Sequence, residues 1–167
     1  MLSGSFAALV AMFITWFRRS GRELPERVAP WDLALLTVAT HKLSRLIAKE
    51  RVTSTLRAPF TLYQQEGGPG EVEERARGRG LRRAIGELLV CPYCLALWIA
   101  SCFAAGLTVA PRATRTVASI FVAVFGSDIL QIAYRRLEET ASDERPPGVG
   151  DEPQEPPAKL MQAPRIG

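Results

Sequence analysis

The sequence is poor in the residues that build disulfide-bonded or zinc-stabilised domains. Its 167 residues include three cysteines and one histidine. A disulfide framework needs more cysteines, and a zinc site would need ligands of other types as well. The net charge of +4 is modest, and basic residues also collect beside membrane spans. We therefore predict neither a nucleic-acid partner nor a cofactor.

Charge is absent from one long stretch and nearly absent from a second. Residues 88–110 contain no charged residue and no histidine over 23 positions. As a helix they cover about 35 Å, which exceeds the roughly 30 Å of a hydrocarbon core. Residues 116–134 carry a single charge, Asp128. Because five residues separate the two stretches, we predict a transmembrane hairpin. The alternative is a buried helical hairpin in a soluble protein, which the rest of the chain offers little amphipathic material to cover.

Two further apolar segments precede this hairpin. Residues 28–47 are apolar in their first half and amphipathic in their second. We predict a third span whose basic end reaches into the headgroups, and the alternative is a helix lying in the interface. Residues 2–17 are uncharged over about 24 Å, which is short for a span. This segment is either a fourth membrane helix or an interfacial anchor.

The distribution of basic residues predicts which end of each span faces the cytoplasm. Residues 42–87 hold ten Lys and Arg residues, whereas the hairpin turn holds two. The positive-inside rule places the segment 49–87 and the C-terminal tail in the cytoplasm. Four arginines between positions 18 and 27 disagree, since this scheme leaves them outside.

These observations predict an all-α integral protein of the cell membrane, with several passes. The membrane domain covers residues 28–137, with helices at about 28–48, 88–110 and 116–135. An apolar segment and basic linker occupy residues 1–27. Within the cytoplasmic loop, the glycine-rich part at 64–80 is predicted to be a flexible linker. The proline-rich segment 138–167 is predicted to be disordered.

Several polar side chains fall within or beside the predicted spans. An intramembrane aspartate usually faces a partner, and we expect Asp128 to pair with Arg45, which lies at a similar depth. The alternative is a protonated Asp128, or one hydrogen-bonded to its neighbours. The predicted polar cluster comprises His41, Arg45, Asp128 and Gln131. Basic residues of the loop are predicted to meet anionic lipid headgroups: Lys49, Arg51, Arg57, Arg82 and Arg83.

Cys91 and Cys94 form a Cys-x-x-Cys pattern at the predicted start of a helix. A helix N-terminus favours the thiolate, so the pair has the pattern of a redox or metal-binding site. The alternative is packing, because free cysteines are small apolar residues, and this is the interpretation that we favour. A zinc site formed with His41 and Asp128 would require three helices to converge, and we predict no metal site.

Three motifs occur in an order that resembles a known family. They are Thr-His-Lys-Leu-Ser-Arg-Leu-Ile at 40–47, Val-Thr-Ser-Thr-Leu-Arg at 52–57 and Cys-Pro-Tyr-Cys-Leu-Ala-Leu-Trp at 91–98. The order is similar to that of a small bacterial membrane-protein family, domain of unknown function 1360. The resemblance covers about residues 30–137 and implies an architecture but no reaction. The residues that match the motifs of the family are Leu43, Arg45, Leu46, Leu56, Arg57, Cys91, Cys94 and Trp98.

The sequence therefore predicts a non-enzymatic multi-pass membrane protein that interacts with lipids or partners. The expected partners are the bilayer, anionic lipid, and either a second copy of the chain or another membrane protein. Two alternatives remain open. One is a membrane thiol-redox protein that uses Cys91 and Cys94, and the other is a metal-binding membrane protein.

Overall fold

The computed structural model describes residues 2–21 and 27–143, and this part of the chain is mostly helical. It contains six α-helices, a 3-10 turn at Arg51–Thr53 and two short strands. The helices are α1 (Leu2–Arg19), α2 (Pro30–Lys49), α3 (Ser54–Arg57), α4 (Gly80–Val90), α5 (Pro92–Val109) and α6 (Pro111–Asp143). The strands are β1 (Thr61–Glu66) and β2 (Val72–Ala76).

Prolines mark where the three longest helices of the predicted membrane domain begin. Pro30, Pro92 and Pro111 each occupy the first position of a helix, where a missing N–H and a fixed φ are tolerated. The connection between α5 and α6 is the single residue Ala110, whose N–H donates to the carbonyl of Gly106 at 2.8 Å. The predicted five-residue turn is therefore the beginning of α6.

The core forms where α2 packs along α5, with a contribution from the first part of α6. Its buried members are Ala39, Ala48, Leu95, Ile99, Phe103 and Ala118. The alanines let the helices approach closely while larger side chains of α5 fill the remaining space. Phe6 of α1 meets Trp98 of α5 edge to face, with ring centroids 5.1 Å apart. The compact unit that contains these contacts ends at Ile129.

Two helices in the described residues are long and apolar enough to cross a membrane. They are Pro92–Val109 and the stretch Pro111–Ala141 within α6. By contrast, α2 carries four charged residues in 20. From Leu130 onward α6 is an exposed helix in a separate unit, and it extends to Asp143, six residues into the predicted disordered tail. The rest of that tail, from residue 144, and linker residues 22–26 lie outside the described residues.

The all-α prediction is wrong in the loop, where the predicted flexible linker is largely a β-hairpin. Strands β1 and β2 pair antiparallel, from Thr61 opposite Ala76 to Glu66 opposite Val72. The glycine-rich stretch 67–70 is its turn, and Gly70 there has a φ of 76°, a conformation that favours glycine. The strands escaped prediction because their charged residues show no alternating apolar pattern.

Helix α4 packs against β2 at a position that requires glycine. A Cβ atom on Gly86 would lie 2.5 Å from the carbonyl oxygen of Phe60 and 3.0 Å from the Cβ of Ala76. The absence of a side chain on Gly86 therefore lets the helix lie directly on the hairpin.

Candidate functional site

Ion pairs hold the β-hairpin against the end of α2 and the short segment that follows it. All four glutamates of the segment 61–76 take part, and each has a basic partner between positions 45 and 57. The pairs are Arg45–Glu71, Lys49–Glu73 at 2.8 Å, Arg51–Glu66 at 2.7 Å and Arg57–Glu74 at 3.0 Å. The backbone N–H of Arg51 also donates to the carbonyl of Gly70 at 2.9 Å. The hairpin is thus an ordered part of the fold.

Arg57 lies at the centre of this arrangement. Its side chain is 1% exposed and that of Glu74 is 4% exposed. The guanidinium binds the carboxylate through both oxygens, with Nε–Oε2 at 3.0 Å and Nη2–Oε1 at 3.1 Å. It also donates to the carbonyls of Ile47 and Glu50 at the end of α2, which have no partner within the helix. The headgroup prediction is therefore wrong for Arg57, because its donors are used inside the protein.

Two threonines complete the cluster around Arg57. Thr53 accepts a hydrogen bond from Nη1 at 2.6 Å and donates to the carbonyl of Leu46 at 2.5 Å. Thr61 donates to Oε2 of Glu74 at 2.6 Å. Such a buried charge pair, with its remaining bonding capacity filled by neutral partners, supports a single conformation of the segment.

A second buried cation, Lys42, connects α2 to α6. Its Nζ atom lies 2.8 Å from Oδ2 of Asp128 and also bonds Glu50. The expected pairing of Asp128 with Arg45 is wrong, because Arg45 bonds Glu71 of the hairpin. The sequence correctly indicated that Asp128 needs a cationic partner. It did not predict the hairpin that carries Glu71, so Asp128 was the acidic partner expected for Arg45.

Sequence inspection missed a further ion pair, near the N-terminal ends of the same two helices. Arg115 binds Asp32 through both oxygens, with both N–O distances at 2.8 Å. The side chain of Asp32 is buried, whereas that of Arg115 is half exposed. The available signal was an isolated aspartate in the apolar half of α2.

The remaining residues of the predicted polar cluster are His41 on α2 and Gln131 on α6. The ring of His41 meets Phe125 edge to face, with centroids 5.7 Å apart. Gln131 follows Asp128 by one turn of α6 and is exposed. Within residues 2–21 and 27–143, no three His, Cys, Asp or Glu residues are grouped so that they could hold a metal ion. The zinc set considered from the sequence is therefore not assembled there.

The Cys-x-x-Cys pair lies at the start of helix α5, as the sequence predicts, and this start is also a junction with α4 that the sequence does not predict. Cys91 is the N-cap of α5, and its Sγ accepts the backbone N–H of Cys94 at 3.2 Å. Cys91 is half-buried, and Cys94 is exposed. Neither thiol belongs to the hydrophobic core.

A basic strip precedes this junction in the chain, before and at the start of α4. We use this name for the five arginines of residues 75–83, a segment without an acidic residue. Arg75, Arg77 and Arg79 make no ion pair with any residue that the structure describes. Arg82 donates through Nε to the carbonyl of Pro59 at 2.8 Å, and Arg83 bonds Glu87 on the exposed face of α4.

The basic residues of the loop therefore divide into two groups. Lys49, Arg51 and Arg57 form ion pairs with glutamates of the hairpin. The arginines of the basic strip follow later in the chain and form no ion pair with those glutamates. Sequence inspection grouped Arg82 and Arg83 with the first three residues, because it had no strand register to show which cations meet carboxylates.

Comparisons with known proteins agree with the resemblance in the motifs. A family model described as "Protein of unknown function (DUF1360)" matches residues 35–134. Sporulation protein YjcA of Bacillus subtilis (strain 168) is 31% identical over 86 residues, which are 50% of this chain and 73% of that protein. No solved structure matches the chain. The matched range contains the hairpin, Arg57, Lys42, Asp128 and the cysteine pair.

Proposed function

Since the chain belongs to the DUF1360 family of proteins of unknown function, we propose its role from the geometry of its own residues. It is a non-enzymatic multi-pass protein of the cell membrane that binds anionic lipid headgroups on its cytoplasmic side. The observation that carries this proposal is the basic strip, which is joined through α4 to a candidate span, while the glutamates of the hairpin are all paired with other residues.

The exposure of the apolar helices supports a membrane location. Only 17% of the apolar window of α5 and 6% of that of α6 is buried inside the protein. A core helix of a soluble protein would be mostly buried, and large exposed apolar surfaces require a partner or a bilayer. With α5 in the bilayer, the junction at Cys91 lies at the level of the headgroups.

Helix α4 has the character of an interfacial helix. Leu88 and Leu89 pack against the core, whereas Arg82 and Arg83 are exposed. It continues through Cys91 directly into α5, so the basic strip stays close to the membrane surface. Each cation near an anionic surface contributes about 1 kcal/mol, and the three arginines without an ion pair, Arg75, Arg77 and Arg79, would together contribute roughly 3 kcal/mol at low salt.

The order of contacts between α2 and α6 supports the proposed sidedness. Asp32 meets Arg115, and ten residues later Lys42 meets Asp128, so the two helices run in parallel. Parallel helices cross a membrane in the same direction, and α5 between them crosses in the other. The hairpin, the basic strip and the start of α5 then share one side, which the positive-inside rule identifies as the cytoplasm.

Lipid retention tests the proposal. The full chain would be placed in nanodiscs that contain equal amounts of phosphatidylglycerol and phosphatidylcholine, and the lipids that remain bound would be counted by native mass spectrometry. We expect the wild type to retain phosphatidylglycerol preferentially. The triple variant Arg75→Gln, Arg77→Gln, Arg79→Gln should lose most of this preference, because these side chains make no internal ion pair.

A matched control removes the same charge elsewhere. Arg18, Arg19 and Arg112 are exposed arginines outside the strip, and their replacement by glutamine should leave the preference for phosphatidylglycerol unchanged. Equal losses in the two triple variants would show that net charge alone attracts the lipid, and would contradict a site at the strip.

Cysteine labelling tests the sidedness. In a chain whose native cysteines are replaced by serine, Gly68→Cys places a thiol in the hairpin turn and Ala113→Cys places one at the start of α6. An impermeant maleimide added to intact cells should label Ala113→Cys only. Labelling of Gly68→Cys alone would place the basic strip outside the cell and contradict the cytoplasmic assignment.

A further inference from the structure

We propose that Cys91 and Cys94 form a reversible dithiol–disulfide pair that exchanges with low-molecular-weight disulfides at the membrane surface. This inference is independent of lipid binding by the basic strip. Its basis is the geometry at the junction of α4 and α5.

The position of Cys91 suits a nucleophilic sulfur. It is the N-cap of α5, with φ −105° and ψ 100°, and its Sγ accepts the backbone N–H of Cys94 at 3.2 Å. The N-terminal amides and the helix dipole stabilise negative charge at this point. The side chain of Cys94 also contacts that of Cys91, so a second thiol lies beside the first.

The pair is also accessible. Cys94 is exposed, and Tyr93 between the two cysteines is 89% exposed. A cysteine kept for packing would be expected among the buried core residues, and neither Cys91 nor Cys94 is there. The break between α4 and α5 falls at Cys91 itself.

The chemistry requires only the two thiols and a substrate disulfide. The Cys91 thiolate attacks one sulfur of the substrate, so that a mixed disulfide forms and one thiolate leaves, which takes up a proton. Cys94 loses its proton and attacks Sγ of Cys91, which releases the second thiol. The protein loses two electrons and two protons as its disulfide forms, and the small disulfide gains them as it becomes two thiols.

The experiment uses the full chain in detergent or nanodiscs, with oxidised glutathione as the probe and intact-mass spectrometry as the readout. Cys102 lies eleven residues beyond Cys91, about 16 Å along α5, and a Cys102→Ser background removes it as a competing thiol. In this background the chain should lose two hydrogens and retain no glutathione. Dithiothreitol should restore the original mass.

Two single variants separate the roles of the thiols. Cys94→Ser should trap one glutathione on Cys91, because no second thiol can release it. Cys91→Ser preserves an N-cap side chain, and its Cys94 should react at least about tenfold more slowly, because Cys94 lies inside the first turn of α5 rather than at its N-cap. Equal rates in the two variants, or no adduct with Cys94→Ser, would overturn the proposal.

A measurement on the unsubstituted chain tests the proposal without any variant, so its result does not depend on whether a variant folds. Alkylation with a heavy maleimide after denaturation should count three thiols in the reduced chain and one after oxidation. Three thiols after oxidation would overturn the proposal. Zinc that copurifies and shields both cysteines from glutathione would also overturn it.

Discussion

Removal of Arg57 should release the hairpin from the end of α2. The Arg57→Ala variant would leave the buried carboxylate of Glu74 with Thr61 as its remaining partner. It would also leave the carbonyls of Ile47 and Glu50 without the donors that the guanidinium supplies. The change therefore affects the strand β2 and the last turn of α2 together.

The expected cost follows from burial. Loss of one partner from a buried pair destabilises a fold by about 3–5 kcal/mol. An exposed pair contributes about 0–1 kcal/mol, and Arg51–Glu66, with side chains 61% and 73% exposed, is such a pair in the same hairpin. Because 1 kcal/mol shifts the midpoint of unfolding by roughly 2–4 °C in a chain of this size, Arg57→Ala should lower it by about 10 °C. Arg51→Ala should lower it by less than about 4 °C.

Two assays on the purified chain in detergent would check these values. The first is the fraction of chain that still elutes as a single species in size-exclusion chromatography after heating. The second is cleavage by trypsin in the basic strip, which should accelerate in Arg57→Ala because local opening exposes the backbone of the strand. Similar shifts for Arg57→Ala and Arg51→Ala would refute the reasoning, since burial would then not determine the value of these ion pairs.

Two more predictions concern helix contacts, and both use the same thermal assay. Asp128→Ala should destabilise the chain by about 1–3 kcal/mol, because Lys42 keeps Glu50 as its acidic partner but loses the carboxylate on α6. Lys42→Met should cost less in the Asp128→Ala background than in the wild type, because only its pair with Glu50 is left to lose, whereas Arg45→Ala should cost the same in both; the reverse pattern would support the pairing expected from the sequence. Gly86→Ala should cost about 1–3 kcal/mol through its clash with the hairpin. Gly126→Ala, whose Cβ would meet nothing within 4 Å, should be neutral or slightly stabilising, and equal losses for the two glycines would contradict the packing described for α4.

Helix positions were predictable from the sequence where hydrophobic length determined them. The uncharged run at 88–110 and the nearly uncharged run at 116–134 correspond to α5 and to part of α6, and prolines mark their beginnings. The division of the first run at Cys91 was not predicted as a break between two helices. An apolar run indicates that a segment is buried in lipid or protein, but it does not show whether the segment is one helix or two. The break at Cys91 depends on the packing of α4 against the hairpin, which is a long-range contact.

The hairpin was not predictable because its stability comes from long-range pairs of charges. Glu71 meets Arg45 and Glu74 meets Arg57, over separations of 26 and 17 positions. Local periodicity carries no information about such contacts. The candidate site was therefore only partly predictable: the cysteine pair was identified by its spacing, whereas the unpaired arginines could be recognised only after the paired ones were known.

The two ion pairs between α2 and α6 have a mechanical consequence. Asp32 and Lys42 are ten residues apart on α2, and Arg115 and Asp128 are thirteen apart on α6, which corresponds to roughly 15 Å and 20 Å of helix. A translation of α2 along its axis by one turn would break both pairs at once. The buried side chains of Asp32 and Lys42 would then lose their partners on α6. Rotation of α2 would also break both pairs, so the two ion pairs together resist displacement of α2 relative to the first part of α6. Because ion pairs also hold the hairpin to the end of α2, a force applied to the hairpin would be transmitted through α2 to α6. A flexible linker in the same place would not transmit it.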